Sequence, residues 1–214
     1  GIYAPVGVYA EDGNATANIT SSSFDYNGEY GLFFEGYGAY SQDGDATFNM
    51  THVTANNNTN GGVLFYYYMA YSGDGNASAS IVDASFSRNG GNGLTSWDPL
   101  AYSYGNGDAT LTMAWVNMND NAGYGMYTVA GAYASDGNAT ATFTDVSANN
   151  NGEYGLFFGA YGAYADDGNA TFNMTRVTAN NNTNDGARFY YAIAQTISEG
   201  DATVNISASS FYFN

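Results

Sequence analysis

The chain has 214 residues, which suits one compact domain or one short repeat array, and 3 basic against 20 acidic residues give a formal charge of −17. Without a single lysine it is a poor partner for nucleic acid or an anionic membrane surface, since both need clustered cations. The absence of cysteine excludes disulfides, thiolate chemistry and cysteine-based zinc sites, and His52 alone leaves little scope for histidine catalysis.

Charged residues make up only 11% of the chain, and Gly, Asn, Ser, Thr and Tyr take their place, the composition of a β-rich secreted or cell-surface protein. No apolar run is long enough to insert into a membrane. A start at Gly1, without an initiator methionine or signal-like segment, reads as a processed product or a segment of a longer array.

From the first residues onward the chain repeats itself. A motif of Asp, Asn or Glu, then Gly, Asn or Asp, Ala, and Thr or Ser begins at Asp12, Asp43, Asp74, Asn106, Asp136, Asp167 and Glu199. Its glycines, Gly13, Gly44, Gly75, Gly107, Gly137, Gly168 and Gly200, are spaced by 31, 31, 32, 30, 31 and 32 residues. Fourteen residues after each stands an asparagine: Asn27, Asn58, Asn89, Asn121, Asn151, Asn182 and Asn214. A further glycine column follows: Gly1, Gly31, Gly62, Gly93, Gly125, Gly155 and Gly186. Gly28-Glu29-Tyr30-Gly31-Leu32-Phe33-Phe34 returns 124 residues later as 152–158, so residues 1–214 form one array without a linker.

Each unit offers two extended stretches separated by turn signals. After the motif the period is two: Ala46, Phe48, Met50 and Val53 face one way, Thr47, Asn49 and Thr51 the other, and Ala202, Val204 and Ile206 repeat the inward set. Gly and Asn at the corners fit turns that need the left-handed conformation. After the invariant glycine the inward column is Ile2, Leu32, Val63, Leu94, Met126, Leu156 and Ala187. The adjacent outward column is Tyr3, Phe33, Leu64, Thr95, Tyr127, Phe157 and Arg188, of which Tyr3, Phe33, Leu64, Tyr127 and Phe157 are large and apolar. Such a stripe, extended by Tyr66, Tyr67 and Tyr68, is expected to be a contact surface unless the coil folds back over it.

Short strands with in-register Asn and Gly columns predict an all-β parallel solenoid of about seven 31-residue coils, in which equivalent residues stack at about 4.8 Å and the asparagines form a ladder. The alternative is an antiparallel meander whose Asp-Gly corners are hairpin turns. Ser23-Phe24-Asp25-Tyr26-Asn27-Gly28-Glu29-Tyr30-Gly31-Leu32 resembles the coils of right-handed parallel β-helix proteins of the pectin-lyase-like group. Membership would imply anything from polysaccharide lyases and hydrolases to adhesins and surface-layer proteins. The composition is also similar to Asn- and Tyr-rich sheath and filament proteins of archaeal and other prokaryotic cell surfaces.

Catalysis is not expected. The lyases of that group use Arg or Lys beside carboxylate-bound calcium, whereas Arg88, Arg176 and Arg188 stand near no acid cluster confined to one coil. Trp97-Asp98-Pro99 interrupts its coil and reads as a looped-out corner, while His52 and Trp115 share one outward column. Asp12, Asp43, Asp74, Asp136 and Asp167 would stack as like charges; bound Ca2+ would relieve them, whereas splayed, screened turns would need no cofactor. Glycosylation sequons occur at Asn14, Asn18, Asn49, Asn57, Asn76, Asn138, Asn169, Asn173, Asn181 and Asn205, so covalent glycans are expected, with Asn18, Asn49, Asn173 and Asn205 in one outward row.

Coil one begins directly at Gly1-Ile2-Tyr3 and coil seven reaches the ladder residue Asn214, so neither end presents a polar cap. The expected function is structural: an extracellular solenoid whose partners are copies of itself, joined head to tail into a filament, sheath or layer. The alternative is a carbohydrate-binding adhesin or polysaccharide-active enzyme, with tyrosines and tryptophans as sugar platforms.

Overall fold

The computed structural model describes residues 1–214 and is a parallel β-solenoid of seven coils, beginning at the glycines of the column that runs from Gly1 to Gly186. Every strand pairs in parallel with its equivalent in the next coil, which excludes the antiparallel meander. Each early coil has three strands, as in coil two: Tyr30–Phe34, the short Ala39–Ser41 and the long Ala46–Thr54. The long strands stack into a seven-stranded sheet, from Ala15–Ser23 to Ala202–Ser207. The other strands form a twelve-stranded sheet, because in coils five and six the first and middle strands merge into Met126–Ala134 and Leu156–Ala165.

The core fills the tube along its axis. Ala46, Phe48, Met50 and Val53 are fully buried, and the Leu32, Val63, Leu94, Met126, Leu156 column pairs in register behind them. Large and small residues alternate up the sheet, Ala17, Phe48, Ala79, Leu111, Ala141, Phe172, Val204, so that each ring has room above an alanine. Ala202, Val204 and Ile206 continue the inward columns but are exposed, because no coil covers coil seven.

The Asn column is a continuous ladder. The backbone N–H and Nδ2 of Asn121 both donate to Oδ1 of Asn151, at 3.0 and 3.1 Å, and the same pair of bonds links each asparagine from Asn27 to Asn214. Two further ladders run with the opposite polarity. Asp45 N–H donates to Oδ1 of Asn14 and Asn76 N–H to Oδ1 of Asp45, and the series continues through Asp108, Asn138 and Asn169 to Asp201. The third begins at Asp25, whose Oδ1 accepts the N–H of Asn56, and climbs through Ser87, Asn119, Asn149 and Asn180. No buried side-chain nitrogen or oxygen in the chain lacks a partner.

The non-glycine left-handed corners lie outside the conserved glycine and asparagine columns. They are Ser21, His52, Asp83, Trp115, Asp145, Arg176 and Ala208, and the residue just before each ladder asparagine, for example Tyr26, Asn57 and Arg88. Among the glycines only Gly13, Gly168 and Gly200 have φ in that region. The invariant glycines serve close approach instead: a Cβ on Gly62 would stand 2.5 Å from the Gly93 carbonyl oxygen.

Candidate functional site

The outer face of the middle strands carries a ladder of tyrosine rings. Tyr9, Tyr40, Tyr71, Tyr102, Tyr133 and Tyr164 pair in register, with ring centroids 4.9, 5.0, 5.4, 4.8 and 4.5 Å apart along the column. Each contact adds about 0.5–1.5 kcal/mol beyond area burial. The repeat places a tyrosine at this outward position in coils one to six and Gln195 in coil seven, but in the early coils the strand is only three residues long and shows too little alternation to be read from periodicity.

Beside this ladder lies a parallel row, Tyr37, Tyr68, Pro99, Ala130 and Tyr161, in which two rings are missing. Their absence opens a notch of about 250 Å³ lined by Tyr68, Asp98, Pro99, Tyr102, Val129, Ala130, Tyr133, Ala160 and Tyr161. The spacing also changes here: Met126 to Tyr133 is one residue shorter than Leu94 to Tyr102 or Leu156 to Tyr164, as Ile2 to Tyr9 is in coil one, and in coil five the chain crosses this face as one strand. Coils three and four instead push a turn outward at 66–69 and 97–100.

Trp97-Asp98-Pro99 does lie on an outward turn, but the turn is a regular one, with the same bend at 35–38 and 66–69, and Pro99 and Leu100 within it are buried. Trp97 is half exposed and packs on Tyr127 at 4.9 Å. Beneath the notch the core is polar. Where other coils bury Phe34, Phe65 and Phe158, coils four and five have Ser96 and Thr128, whose hydroxyls donate to the carbonyls of Tyr67 at 2.8 Å and Asp98 at 3.1 Å. The two turns that wall the notch are thus pinned from inside.

Burial pushes the Asp98 carboxyl above the usual range, and no side chain donates a hydrogen bond to it. Burial also raises the Tyr68 hydroxyl, assisted by the charge of Asp98. The rings turn here as well. Tyr9, Tyr40 and Tyr71 lie parallel within 5°, whereas Tyr102 and Tyr133 meet at 84°.

The stripe expected to be a contact surface is largely covered by its own neighbours. Leu64 is buried and Phe33, Tyr127 and Phe157 are half-buried; Tyr30 leans on Phe33, and Tyr124 on Tyr127 and Phe157. Tyr3, on the first coil, and Tyr66 and Tyr67, which extend the stripe, stay exposed. Neighbouring side chains cover most of the column between them, so it forms no continuous open stripe.

The acidic column Asp12, Asp43, Asp74, Asp136 and Asp167 is exposed along one corner, and no three Asp, Glu or His residues in the chain approach closely enough to share a metal ion. It is a row of separate carboxylates. The sequon residues Asn14, Asn18, Asn76, Asn138, Asn169, Asn181 and Asn205 are exposed, and Asn49, Asn57 and Asn173 are half-buried. Asn49 donates to Asn18, and Asn205 to Asn173, both at 2.9 Å. In the left-handed corner row His52 pairs with Asp83 at 3.2 Å, and Arg176 grips both oxygens of Asp145 at 2.6 and 2.7 Å.

Comparison with protein-family models, curated proteins and solved structures finds no match for this chain.

Proposed function

We propose that the chain is a structural element of an extracellular assembly, in which copies stack coil on coil, head to tail, into a filament, sheath or layer. The observation that supports this most is the coil-to-coil register, since each coil pairs in parallel with the next and adds one rung to the Asn ladder, a pairing that can equally join one copy to another. Ile2 and Val6 on coil one are 47% and 38% exposed, and Val204 and Ile206 on coil seven 43% and 47%, although Ile2, Val204 and Ile206 continue columns that are buried in the interior coils. The cost of leaving such surface in water is removed by one more coil in register. The ladders favour the same joint, since Asn214 has its own N–H free of the ladder partner that every earlier asparagine has. Glycans on the exposed sequons would coat the sides and leave the ends bare.

The test is electron microscopy and diffraction of the 214-residue chain at rising concentration. Filaments with a spacing near 4.8 Å along the long axis are expected. The double variant Val204→Asp/Ile206→Asp, which charges one end face alone, is expected to stay a single-chain particle. Monodisperse particles of the unsubstituted chain at all concentrations would overturn the reading. An intact mass equal to the bare chain, from a source that makes N-glycans, would overturn the glycan coat.

A further inference from the structure

We propose that the notch between coils three and six is a binding site for an organic ammonium cation, of the trimethylammonium class, held between tyrosine rings and the carboxylate of Asp98. The site lies on the side of the solenoid, and its test is independent of end-to-end assembly.

Three observations carry the inference. The first is shape. Tyr37, Tyr68 and Tyr161 put a ring at this position in their own coils; Pro99 and Ala130, like Val6 and Ala192 in the end coils, put none, and beside Pro99 and Ala130 the space is open to about 250 Å³. The second is the walls. Tyr68 stacks on Tyr102 at 5.1 Å, Tyr133 meets Tyr102 at 84° with centroids 4.8 Å apart, and Tyr161 lines the notch as well. Four rings in more than one orientation border a small volume with aromatic surface, which suits a compact, weakly hydrated cation. A sugar ring would ask instead for an open flat platform and several hydrogen-bond partners.

The third is charge. Asp98 is the one ionisable group other than tyrosine in the lining, its carboxylate is half-buried, and it has no ion pair: the basic side chains that form pairs are His52, Arg176 and Arg188, each with another acid. A half-buried carboxylate without a cation is costly, and a bound ammonium offsets that cost. The charge of −17 over the chain adds a long-range attraction for cations and repels anionic ligands. The hydroxyls of Ser96 and Thr128 fix the turns that hold Tyr67 and Asp98, so the cage is formed before any ligand arrives.

The experiment is a titration of the full chain with choline chloride, in a Trp115→Phe background that leaves Trp97, next to Asp98 in the chain, as the single tryptophan reporter. Saturable change in Trp97 fluorescence is expected, with the uncharged isostere 3,3-dimethylbutan-1-ol binding about tenfold or more weakly. Asp98→Asn, which keeps the shape, is expected to weaken choline by about tenfold. Ala130→Tyr, which restores the ring of the neighbouring coils, is expected to abolish the response while the circular dichroism spectrum is kept. Absence of a saturable choline response overturns the proposal. So does equal binding of the neutral isostere, an unchanged titration in folded Asp98→Asn and Ala130→Tyr chains, or occupation of the notch by neutral oligosaccharides in preference to choline.

Discussion

The hydroxyl of Thr128, inside the core, donates to the backbone carbonyl of Asp98, on the turn of the coil before it, at 3.1 Å. The same oxygen lies 2.8 Å from the carbonyl of Ala130, so one buried side chain ties the straight strand of coil five to the turn it leaves standing above it. A phenylalanine stands at this core position in coils two, three, six and seven, and the exchange for a hydroxyl coincides with the missing residue of coil five.

Replacing Thr128 by valine keeps the volume and removes the donor. The carbonyl of Asp98 then loses its partner inside the tube, and a loss of about 1–2 kcal/mol is expected. For a chain of this length that is a fall of about 2–8 °C in the melting temperature, read by circular dichroism. An unchanged melting temperature would mean that the turn is held by its other contacts, Trp97 on Tyr127 among them.

The Asn ladder predicts a strong dependence on position. Asn121 is 2% exposed, accepts both the N–H and the Nδ2 of Asn89, and donates onward to Asn151. Asn121→Ala strands buried donors and is expected to cost about 2–4 kcal/mol. Asn27, on the half-buried first rung, should cost less than half of that as Asn27→Ala. Urea unfolding of the two variants side by side decides it, and equal losses would show that the ladder does not act as a series of stacked bonds.

The tyrosine face sets the alkaline limit. Burial pushes the Tyr71 and Tyr164 hydroxyls up to about 12, aided at Tyr164 by its bond to Asp166, and raises Tyr68 and Tyr133 as well. An unfolded chain releases these protons near 10, so above that pH the unfolded state binds fewer protons than the folded one and stability falls as pH rises. The contribution is complete below pH 10 and is lost as pH climbs through about 12. Tyrosinate absorbance and far-ultraviolet circular dichroism, followed together, are expected to change in one step within that window; tyrosinate signal for the whole set near pH 10 with the fold intact would contradict it.

The array, its coil length, the Asn ladder and the inward columns are readable from residue identity, because a solenoid places identical residues at identical positions. The other two ladders escape that reading. They share an acceptor oxygen rather than a residue type, so Asn14 and Asp45, or Asn56 and Ser87, do one job under different names. The glycine columns are visible while their role is not, since a close backbone approach such as Gly62 on Gly93 needs the coil below it to exist. The outward column looks exposed until Tyr30 and Tyr124 are seen leaning over it. The notch had a signal in plain view: the single 30-residue spacing, from Gly107 to Gly137, spans the shortened coil five.

The left-handed corner row holds Ser21, His52, Asp83, Trp115, Asp145, Arg176 and Ala208, and so contains neither glycine nor asparagine, the two residues that adopt this backbone most cheaply. His52, Asp83 and Asp145 adopt it more readily than most side chains, but Trp115, Arg176 and Ala208 bring no such preference. Each corner takes its shape from the strand pairing on either side, as Thr51 on Val82 and Thr54 on Ser85 flank His52 and Asp83. The bend is therefore templated from neighbour to neighbour, and an isolated 31-residue unit would not hold it. Order in such a chain spreads by copying: the smallest cooperative unit is a pair of coils, and a break at one corner is expected to loosen the next before it is felt across the tube.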